Sequence, residues 1–148
     1  MALHFGQAAP PRLELVESAE ETAACRQQVE EYFAGKRTRF TLPLDLRGTT
    51  FQKLCWLALL EIPYGETRSY ADIARSIGRP QACRAVGLAN HDNPVVIVVP
   101  CHRVIGSDGR LTGYGGGLDV KRRLLDFERQ HHSAAPMLCG LWAKAEAE

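Results

Sequence analysis

The chain has 148 residues, of which 45% are hydrophobic and 24% are charged, and its formal net charge at pH 7 is +1. This size and composition fit one ordinary soluble domain with at most a small N-terminal appendage. No apolar run is long enough to span a membrane. The small net charge excludes nucleic-acid binding driven by bulk charge, so a DNA-binding surface requires local placement of arginine and lysine.

The chain contains five cysteines, an odd number, and none of them forms a C-x-x-C pair. No signal peptide precedes them, so the pattern indicates free thiols in an intracellular protein, cytoplasmic or, in a eukaryote, nuclear. Four of the cysteines are interpreted as inert packing residues, the usual state of a free cysteine: Cys25, Cys55, Cys83 and Cys139.

The first 45 residues are predicted to form a reduced N-terminal segment. Residues 1 to about 20 include two consecutive prolines, and an ordered start is not expected there. A helix is predicted over residues 18 to 34, because apolar residues recur at helical spacing, and Gly35 ends it. Residues 40 to 44 are predicted to be extended, since Pro43 disfavours helix in the residue before it.

A second helix is predicted to begin at Thr49, which has the spacing of a capping box with Gln52. The Pro63-Tyr64-Gly65 sequence forces a turn after it. The apolar residues of this helix fall on one face: Phe51, Leu54, Cys55, Ala58, Leu59 and Ile62.

Two shorter helices are predicted next and together make a helix-turn-helix candidate. Ser69 is the N-cap of the first helix and Gly78 is its C-terminal glycine. The second helix is predicted to start at Pro80 and to run to about residue 90. On this pattern alone, a plain helical hairpin in a core is an equally good interpretation. The inner face of the first helix is Tyr70, Ile73, Ala74 and Ile77.

Residues 95 to 99 are all β-branched and apolar, which predicts a strand or extended segment buried on both sides. Pro100 ends this run, and a glycine-rich loop occupies residues 106 to 117. A last helix is predicted over residues 118 to 130. Its inward residues are Val120, Leu124 and Phe127, and its mostly outward residues are Lys121, Arg122 and Arg123.

Cys101 is the candidate nucleophile, because it follows the buried run and Pro100 directly and precedes His102 and Arg103. Nearby positive charge lowers a thiol pKa, and the thiolate is the competent nucleophile. Adjacent residues of a strand point to opposite faces, so His102 can serve Cys101 only if the chain turns after Pro100 or if a water bridges them. A histidine base also needs an orienting partner. Glu128 is the candidate, although its spacing favours a solvated helix end.

The run from residue 100 to residue 106, Pro-Cys-His-Arg-Val-Ile-Gly, resembles the active-site signature of the O6-alkylguanine-DNA alkyltransferases, the methylated-DNA–protein-cysteine methyltransferases. The resemblance covers about residues 43 to 128. Further elements in the family's order and spacing are Gly48-Thr-Thr-Phe-Gln52, Ile62-Pro-Tyr-Gly-Glu-Thr67, Ser69-Tyr70, Arg84-Ala-Val-Gly87, Asn93-Pro94, Tyr114 with Gly115-Gly-Gly-Leu118, and Lys121.

The resemblance implies an α+β fold with a mainly helical, winged-helix-like domain over residues 46 to 130, which holds the helix-turn-helix and is followed by a tail over residues 131 to 148. It implies direct repair of double-stranded DNA, in which the alkyl group of O6-alkylguanine passes once and irreversibly to Cys101. O4-alkylthymine is left open as a second substrate. The second helix of the motif would enter the minor groove, and the damaged nucleotide would be flipped into a pocket. The protein is expected to be a monomer without cofactor, metal or membrane partner.

The resemblance also assigns roles to individual residues. Cys101 would accept the alkyl group, and His102 would deprotonate it through a water while Glu128 orients the imidazole. Asn93 would hold the active-site turn together, and Tyr70 would support proton delivery to the departing guanine.

Eight further positions would contact the DNA. Arg84 would fill the place of the flipped nucleotide, and Lys121 would help to hold the guanine. The other six are Ser69 and Arg79 at phosphates, the small residues Ala85 and Gly87 against the groove, and Tyr114 and Gly115 at the base. Gly115 stands where some relatives have serine, which puts one contact to the base in doubt.

Three alternatives remain at this stage. An alkyltransferase-like protein would bind alkylguanine without repairing it, but such proteins lack the acceptor cysteine. A hydrolase using Cys101, His102 and Glu128 would need an oxyanion hole and would turn over. In a purely structural helix-turn-helix module the cysteine segment would be incidental.

The short N-terminal segment departs from the family pattern, since most of the family's N-terminal sheet would be missing. His4 with Cys25 offers no convincing metal site.

Overall fold

The computed structural model describes residues 19–132. The fold is α+β and mainly helical, which confirms the predicted class. Predictions for residues 1–18 and for the tail from residue 133 lie outside the described residues, and those for His4 and Cys139 fall there. In the described part of the chain, no helix is long and apolar enough to cross a membrane. The helices are α1 (Ala19–Phe33), α2 (Thr50–Leu60), α3 (Tyr70–Ser76), α4 (Cys83–His91) and α5 (Leu118–His132), with a 3-10 turn at Cys101–Arg103.

Residues 19–132 also contain two short strands. Strand β1 (Arg68–Ser69) pairs in parallel with β2 (Val104–Ile105), which joins the start of α3 to the segment that follows the 3-10 turn. The main core lies among α2, α3 and α4. It also receives five residues from the segment after α4: Val95, Val98, Val99, Cys101 and Val104. A second apolar cluster joins α1 to α5 and consists of Tyr32, Tyr64, Ile97 and Leu124.

Helix α2 begins at the predicted capping box. The Thr49 hydroxyl accepts a hydrogen bond from the backbone N–H of Gln52, and the Gln52 side chain accepts one from the backbone N–H of Thr49. The predicted apolar face is wrong at one position, because Leu54 is 40% exposed whereas Trp56 is buried. The Trp56 indole donates to the carbonyl oxygen of Ala89 at 2.8 Å, so contact with α4 sets which arc of α2 is buried.

Thr49→Ala is expected to lower the free energy of unfolding by about 1 kcal/mol, because the N–H of Gln52 loses its acceptor. Urea unfolding monitored by circular dichroism measures this change. Thr50→Ala, one residue into the same helix, is the matched control and should cost nothing, since its hydroxyl is outside the capping box. Equal losses in the two variants would contradict the assignment of the cap.

The helix-turn-helix is formed by α3 and α4. Ser69 and Asp72 form a second capping box at the start of α3. Gly78 has a φ of +72° and ends α3 in a Schellman motif, with its own N–H bonded to Arg75 O and the N–H of Arg79 bonded to Ala74 O. The predicted start of the next helix is wrong: α4 begins at Cys83, and Pro80 lies in the preceding turn.

The valine-rich run at residues 95 to 99 is buried as predicted except at the half-buried Val96, but it does not form a strand. It folds back on itself, with the N–H of Val99 bonded to Val95 O at 3.0 Å and Ile97 at a φ of +71°. The Asn93 side chain replaces a strand partner, because its amide donates to Val99 O at 2.7 Å and its oxygen accepts from the N–H of Val95. Hydrogen bonds from a side chain two and six residues away therefore override the strand preference of these residues.

Candidate active site

A cavity of about 560 Å³ opens between α3, α4 and the glycine-rich loop of residues 106 to 117. Its volume is in the range of small-molecule sites. Cys101 lies in its wall, and Cys83 at the start of α4 is a second thiol there. Five other residues with predicted roles also line this cavity: Tyr70, Arg84, Gly87, Tyr114 and Gly115.

The chain turns sharply at Pro100, which separates Cys101 from the buried run before it. Pro100 has φ −84° and ψ 63°, and the N–H of Cys101 donates to Val99 O at 2.8 Å, the geometry of an inverse γ-turn. A 3-10 turn follows at once, so Cys101 and His102 do not alternate across a strand. The chain therefore turns after Pro100, which is the condition under which His102 can act as a base for Cys101.

Glu128 of α5 is the centre of a buried hydrogen-bond network beneath the cavity. It is 0% exposed, so the interpretation of this residue as a solvated helix end is wrong. Its Oε1 accepts from His102 Nε2 at 2.8 Å and from the Tyr32 hydroxyl at 2.7 Å. Arg103 donates to both carboxylate oxygens, at 2.9 and 2.8 Å, and the backbone N–H of Gly65 donates at 3.2 Å. Because α5 packs on the 3-10 turn, the carboxylate meets these donors instead of water.

This network fixes the protonation of the histidine. Since Nε2 of His102 faces the Glu128 carboxylate, we assign the ring proton to Nε2. The other nitrogen, Nδ1, is buried and has no hydrogen-bond partner among the described residues. Burial lowers the pKa of His102 and outweighs the opposing effect of Glu128. The result is a neutral imidazole whose Nδ1 lone pair is available to accept a proton.

The Glu128 carboxylate remains ionised despite its burial. Burial raises the pKa of Glu128, but hydrogen bonds from His102 and Arg103 outweigh that effect and hold the pKa well below its usual range. The positive charge of Arg103 is therefore directed at Glu128 rather than at the thiol.

The expectation that adjacent cations lower the Cys101 thiol pKa is wrong for the resting protein. Burial raises the pKa of Cys101, and this effect exceeds the lowering by the Asn93 side chain and the Lys121 charge. Cys101 is accordingly a thiol at rest, so its use as a nucleophile requires a base at the moment of reaction.

Lys121 is fully buried, so the periodicity-based prediction that it faces outward is wrong. Its Nζ donates to Thr112 O at 3.0 Å and lies 5.8 Å from the centre of the Tyr70 ring. Burial lowers the pKa of Lys121 to about 8, against the opposing effect of Cys101. The Tyr70 hydroxyl donates to the same Thr112 oxygen at 3.1 Å. Lys121 and Tyr70 together hold the loop that forms one wall of the cavity.

Besides the buried Lys121, three residues predicted to contact DNA do not line the cavity. The Ser69 hydroxyl is the cap acceptor of α3, Arg79 is exposed in the turn between α3 and α4, and Ala85 is half-buried on α4. Arg84, by contrast, is exposed at the cavity rim. The DNA contacts of these residues stay predictions.

Sequence reasoning missed the roles of Tyr32, Arg103 and Asn90. Tyr32 and Arg103 reach Glu128 from distant parts of the chain, and no local pattern carries that signal. Asn90 lines the cavity at 8% exposure, and neither polar atom of its side chain has a partner among the described residues. Its amide is therefore available to an occupant of the cavity.

Within residues 19–132, no three His, Cys, Asp or Glu side chains are grouped to hold a metal ion.

Comparison with known proteins agrees with this geometry. Residues 50–130 match the profile of the 6-O-methylguanine DNA methyltransferase DNA-binding domain, and residues 2–46 match that of the ribonuclease-like domain of the same proteins. A methylated-DNA–protein-cysteine methyltransferase of Mycolicibacterium paratuberculosis is 57% identical over 126 residues, which are 85% of this chain and 76% of the relative. An inducible enzyme of that name from Bacillus subtilis is 51% identical over 80% of this chain and 66% of its own length.

Solved structures give the same result. The O6-methylguanine methyltransferase of Mycobacterium tuberculosis aligns with a TM-score of 0.72 and 52% identity, over 84% of this chain and 79% of the other. A Mycobacterium tuberculosis OGT in complex with DNA aligns with a TM-score of 0.73 and 60% identity, over 74% of this chain and 68% of the other. The chain thus spans about two thirds to four fifths of the length of these relatives. On these matches of sequence and structure, the chain belongs to the 6-O-methylguanine DNA methyltransferase family.

Proposed function

We propose that this protein repairs DNA by transferring the alkyl group of an O6-alkylguanine directly to the sulfur of Cys101. The observation that carries the proposal is the thiol in the wall of a cavity beside α4, with a neutral, carboxylate-bound histidine next to it in the chain. The relatives' names, methylated-DNA–protein-cysteine methyltransferase, and the related OGT solved with DNA support it.

The proposed reaction is one nucleophilic displacement. The Cys101 thiol gives its proton to Nδ1 of His102 through a water molecule, and the sulfur attacks the alkyl carbon. The S–C bond forms as the C–O6 bond breaks, and the electron pair leaves with the guanine, which takes up a proton with the support of Tyr70. The thioether has no ordinary route back to the thiol, so each molecule acts once. The alkyl donor is the DNA itself, so no cofactor takes part.

The DNA is proposed to bind across α4 and the cavity mouth. Helix α4 enters the minor groove, the damaged nucleotide flips into the cavity, and Arg84 fills its place in the stack. The small residues Ala85 and Gly87 allow the helix backbone to approach the groove closely. Phosphate contacts by Ser69 and Arg79 would make binding salt-dependent and largely independent of sequence.

Inside the cavity, Tyr114 and Gly115 contact the flipped guanine and Lys121 holds the wall around it. Asn93 stabilises the backbone turn that presents Cys101, and its two hydrogen bonds to the residue 95–99 segment support this role. We expect the protein to act as a monomer, in the cytoplasm or, in a eukaryote, the nucleus.

Intact mass spectrometry tests the proposal directly. After mixing with a duplex that carries one O6-methylguanine, the protein should gain the mass of one methyl group, and the modification should map to the Cys101 peptide. The Cys83 peptide should remain unmodified, and neither Cys101→Ser nor an undamaged duplex should give a gain. Tight binding to the lesion without a mass gain would instead indicate a recognition protein, and repeated turnover of an ester substrate would indicate a hydrolase.

A further inference from the structure

The N-terminal helix α1 reaches the catalytic network through one side chain. Tyr32 is 0% exposed, and its hydroxyl donates to Oε1 of Glu128 at 2.7 Å, across 96 positions of sequence. The same oxygen accepts the Nε2–H of His102 at 2.8 Å. Tyr32 therefore lies two hydrogen bonds away from the proposed base, although it belongs to the part of the chain that precedes the DNA-binding domain.

The Tyr32 ring is held tightly enough to position its hydroxyl group. Its centroid lies 5.5 Å from that of Phe40, 6.0 Å from that of Tyr64 and 5.7 Å from that of Phe127. These contacts come from three different segments of the chain, so the ring has little freedom to rotate out of line. The hydroxyl is thus a fixed donor rather than a mobile one.

We propose that Tyr32 is a positioning residue for alkyl transfer: its hydroxyl fixes the Glu128 carboxylate and, through it, the orientation and basicity of His102. The N-terminal segment thereby completes the active site instead of serving only the stability of the fold. This inference rests on the proposed function, since the transfer rate is the quantity that Tyr32 is expected to set.

The physical reason lies in how the carboxylate charge is shared. Oε1 of Glu128 accepts from Tyr32, His102 and Arg103, so each donor draws on the same negative charge. Burial and the adjacent Glu128 charge raise the pKa of Tyr32, which keeps its hydroxyl protonated and donating. Without this donor, more of the carboxylate charge acts on His102 and favours the imidazolium form, which cannot accept the Cys101 proton.

Other charged and titratable groups of the described residues surround this pair. His102 faces Glu128, Arg103 and Lys121, and Lys121 in turn acts on Cys101. Glu128 acts on Tyr32, Tyr64 and Tyr114. Removing the Tyr32 hydroxyl deletes none of these other groups, so a change in the pH dependence of transfer reports on the Tyr32–Glu128 hydrogen bond.

Tyr32→Phe and Tyr64→Phe provide a matched comparison in the full-length protein. Both substitutions remove a hydroxyl from a buried tyrosine of the second apolar cluster. The Tyr64 hydroxyl, however, has no hydrogen-bond partner among the described residues. Single-turnover transfer from an O6-methylguanine duplex is measured at saturating DNA across the pH range, with the Kd for the same duplex and the Tm as separate readouts.

Tyr32→Phe is expected to lower the transfer rate about tenfold at neutral pH, by analogy with other partners that orient a reacting group. The acid limb of the variant's rate–pH profile should move to higher pH by about half a unit, because the His102 pKa rises. The Kd should stay within about twofold, since Tyr32 is buried away from the cavity lining. Tyr64→Phe should match the unmodified protein in rate and pH profile.

Equal rates and pH profiles in the two variants would overturn the inference and leave Tyr32 with a structural role only, whatever their Tm values. A rise in Kd that parallels the loss of rate would overturn it as well, because the defect would then lie in DNA binding. Absence of transfer by the unmodified protein is a different result and would overturn the proposed function itself.

Discussion

His102→Gln is expected to lower the single-turnover rate of alkyl transfer by at least about 100-fold, the usual contribution of a general base. Burial keeps the Cys101 thiol protonated, so removal of the proposed base leaves the sulfur in its unreactive form. Glutamine keeps a donor that can reach Glu128 while it lacks the basic Nδ1. Quenched-flow mixing with an O6-methylguanine duplex, followed by mass analysis, measures the rate.

The pH dependence provides an independent check on this role. Burial lowers the pKa of His102, so the base is neutral near pH 7 and the unmodified protein should show a rate that is flat from about pH 8 to about pH 6.5. In His102→Gln, transfer depends on spontaneous ionisation of Cys101, whose pKa is raised. The variant's rate should therefore increase about tenfold for each unit of pH over the same range.

His131→Gln is the control for a histidine substitution, because His131 packs on Phe127 and bonds to its carbonyl oxygen away from the cavity. Its transfer rate and pH profile should match those of the unmodified protein. If His102→Gln kept a flat profile and a near-normal rate, another group would have to be the base.

Arg103→Met is expected to lower the free energy of unfolding by about 3–5 kcal/mol, the cost of breaking a buried ion pair from one side. Arg103 donates twice to Glu128 and once to the carbonyl oxygen of Ile62, at 2.8 Å. Methionine fills part of the volume but leaves a buried carboxylate with fewer donors. Chemical denaturation at neutral pH measures the change.

The same substitution should alter the acid sensitivity of the fold in a defined direction. Hydrogen bonds from His102 and Arg103 hold the pKa of Glu128 below its unfolded value, so its contribution to stability is present above that value and is lost as the pH falls. Removing Arg103 raises the folded pKa. Arg103→Met should therefore lose less unfolding free energy than the unmodified protein between about pH 6 and about pH 3.

Arg47→Met is the matched control for an arginine in an ion pair. Arg47 contacts Asp45 at 2.7 Å, but its side chain is 84% exposed, so solvent screens the pair and no measurable loss is expected. Equal losses in the two variants would contradict the view that burial, rather than ion pairing as such, makes Arg103 important.

Local sequence was enough to predict three helix ends of this protein and the candidate nucleophile. The capping box at Thr49, the cap at Ser69 and the glycine at Gly78 depend on hydrogen bonds within a few residues, so short patterns were enough to predict them. Cys101 was identified from its immediate neighbours and from the resemblance to a family, which the comparisons confirm. These are features whose physical causes lie within one turn of the chain.

Tertiary structure decided which polar residues are buried and what they contact. Periodicity placed Lys121 and Glu128 in solvent because it assigns charge to the outer face of a helix. The structure buries both, since the loop carbonyl oxygens near Lys121 and the donors around Glu128 come from other segments. Likewise, Tyr32 reaches Glu128 across 96 positions of sequence. A buried charge is stable only with its partners in place, and those partners are set by the fold rather than by the neighbouring sequence.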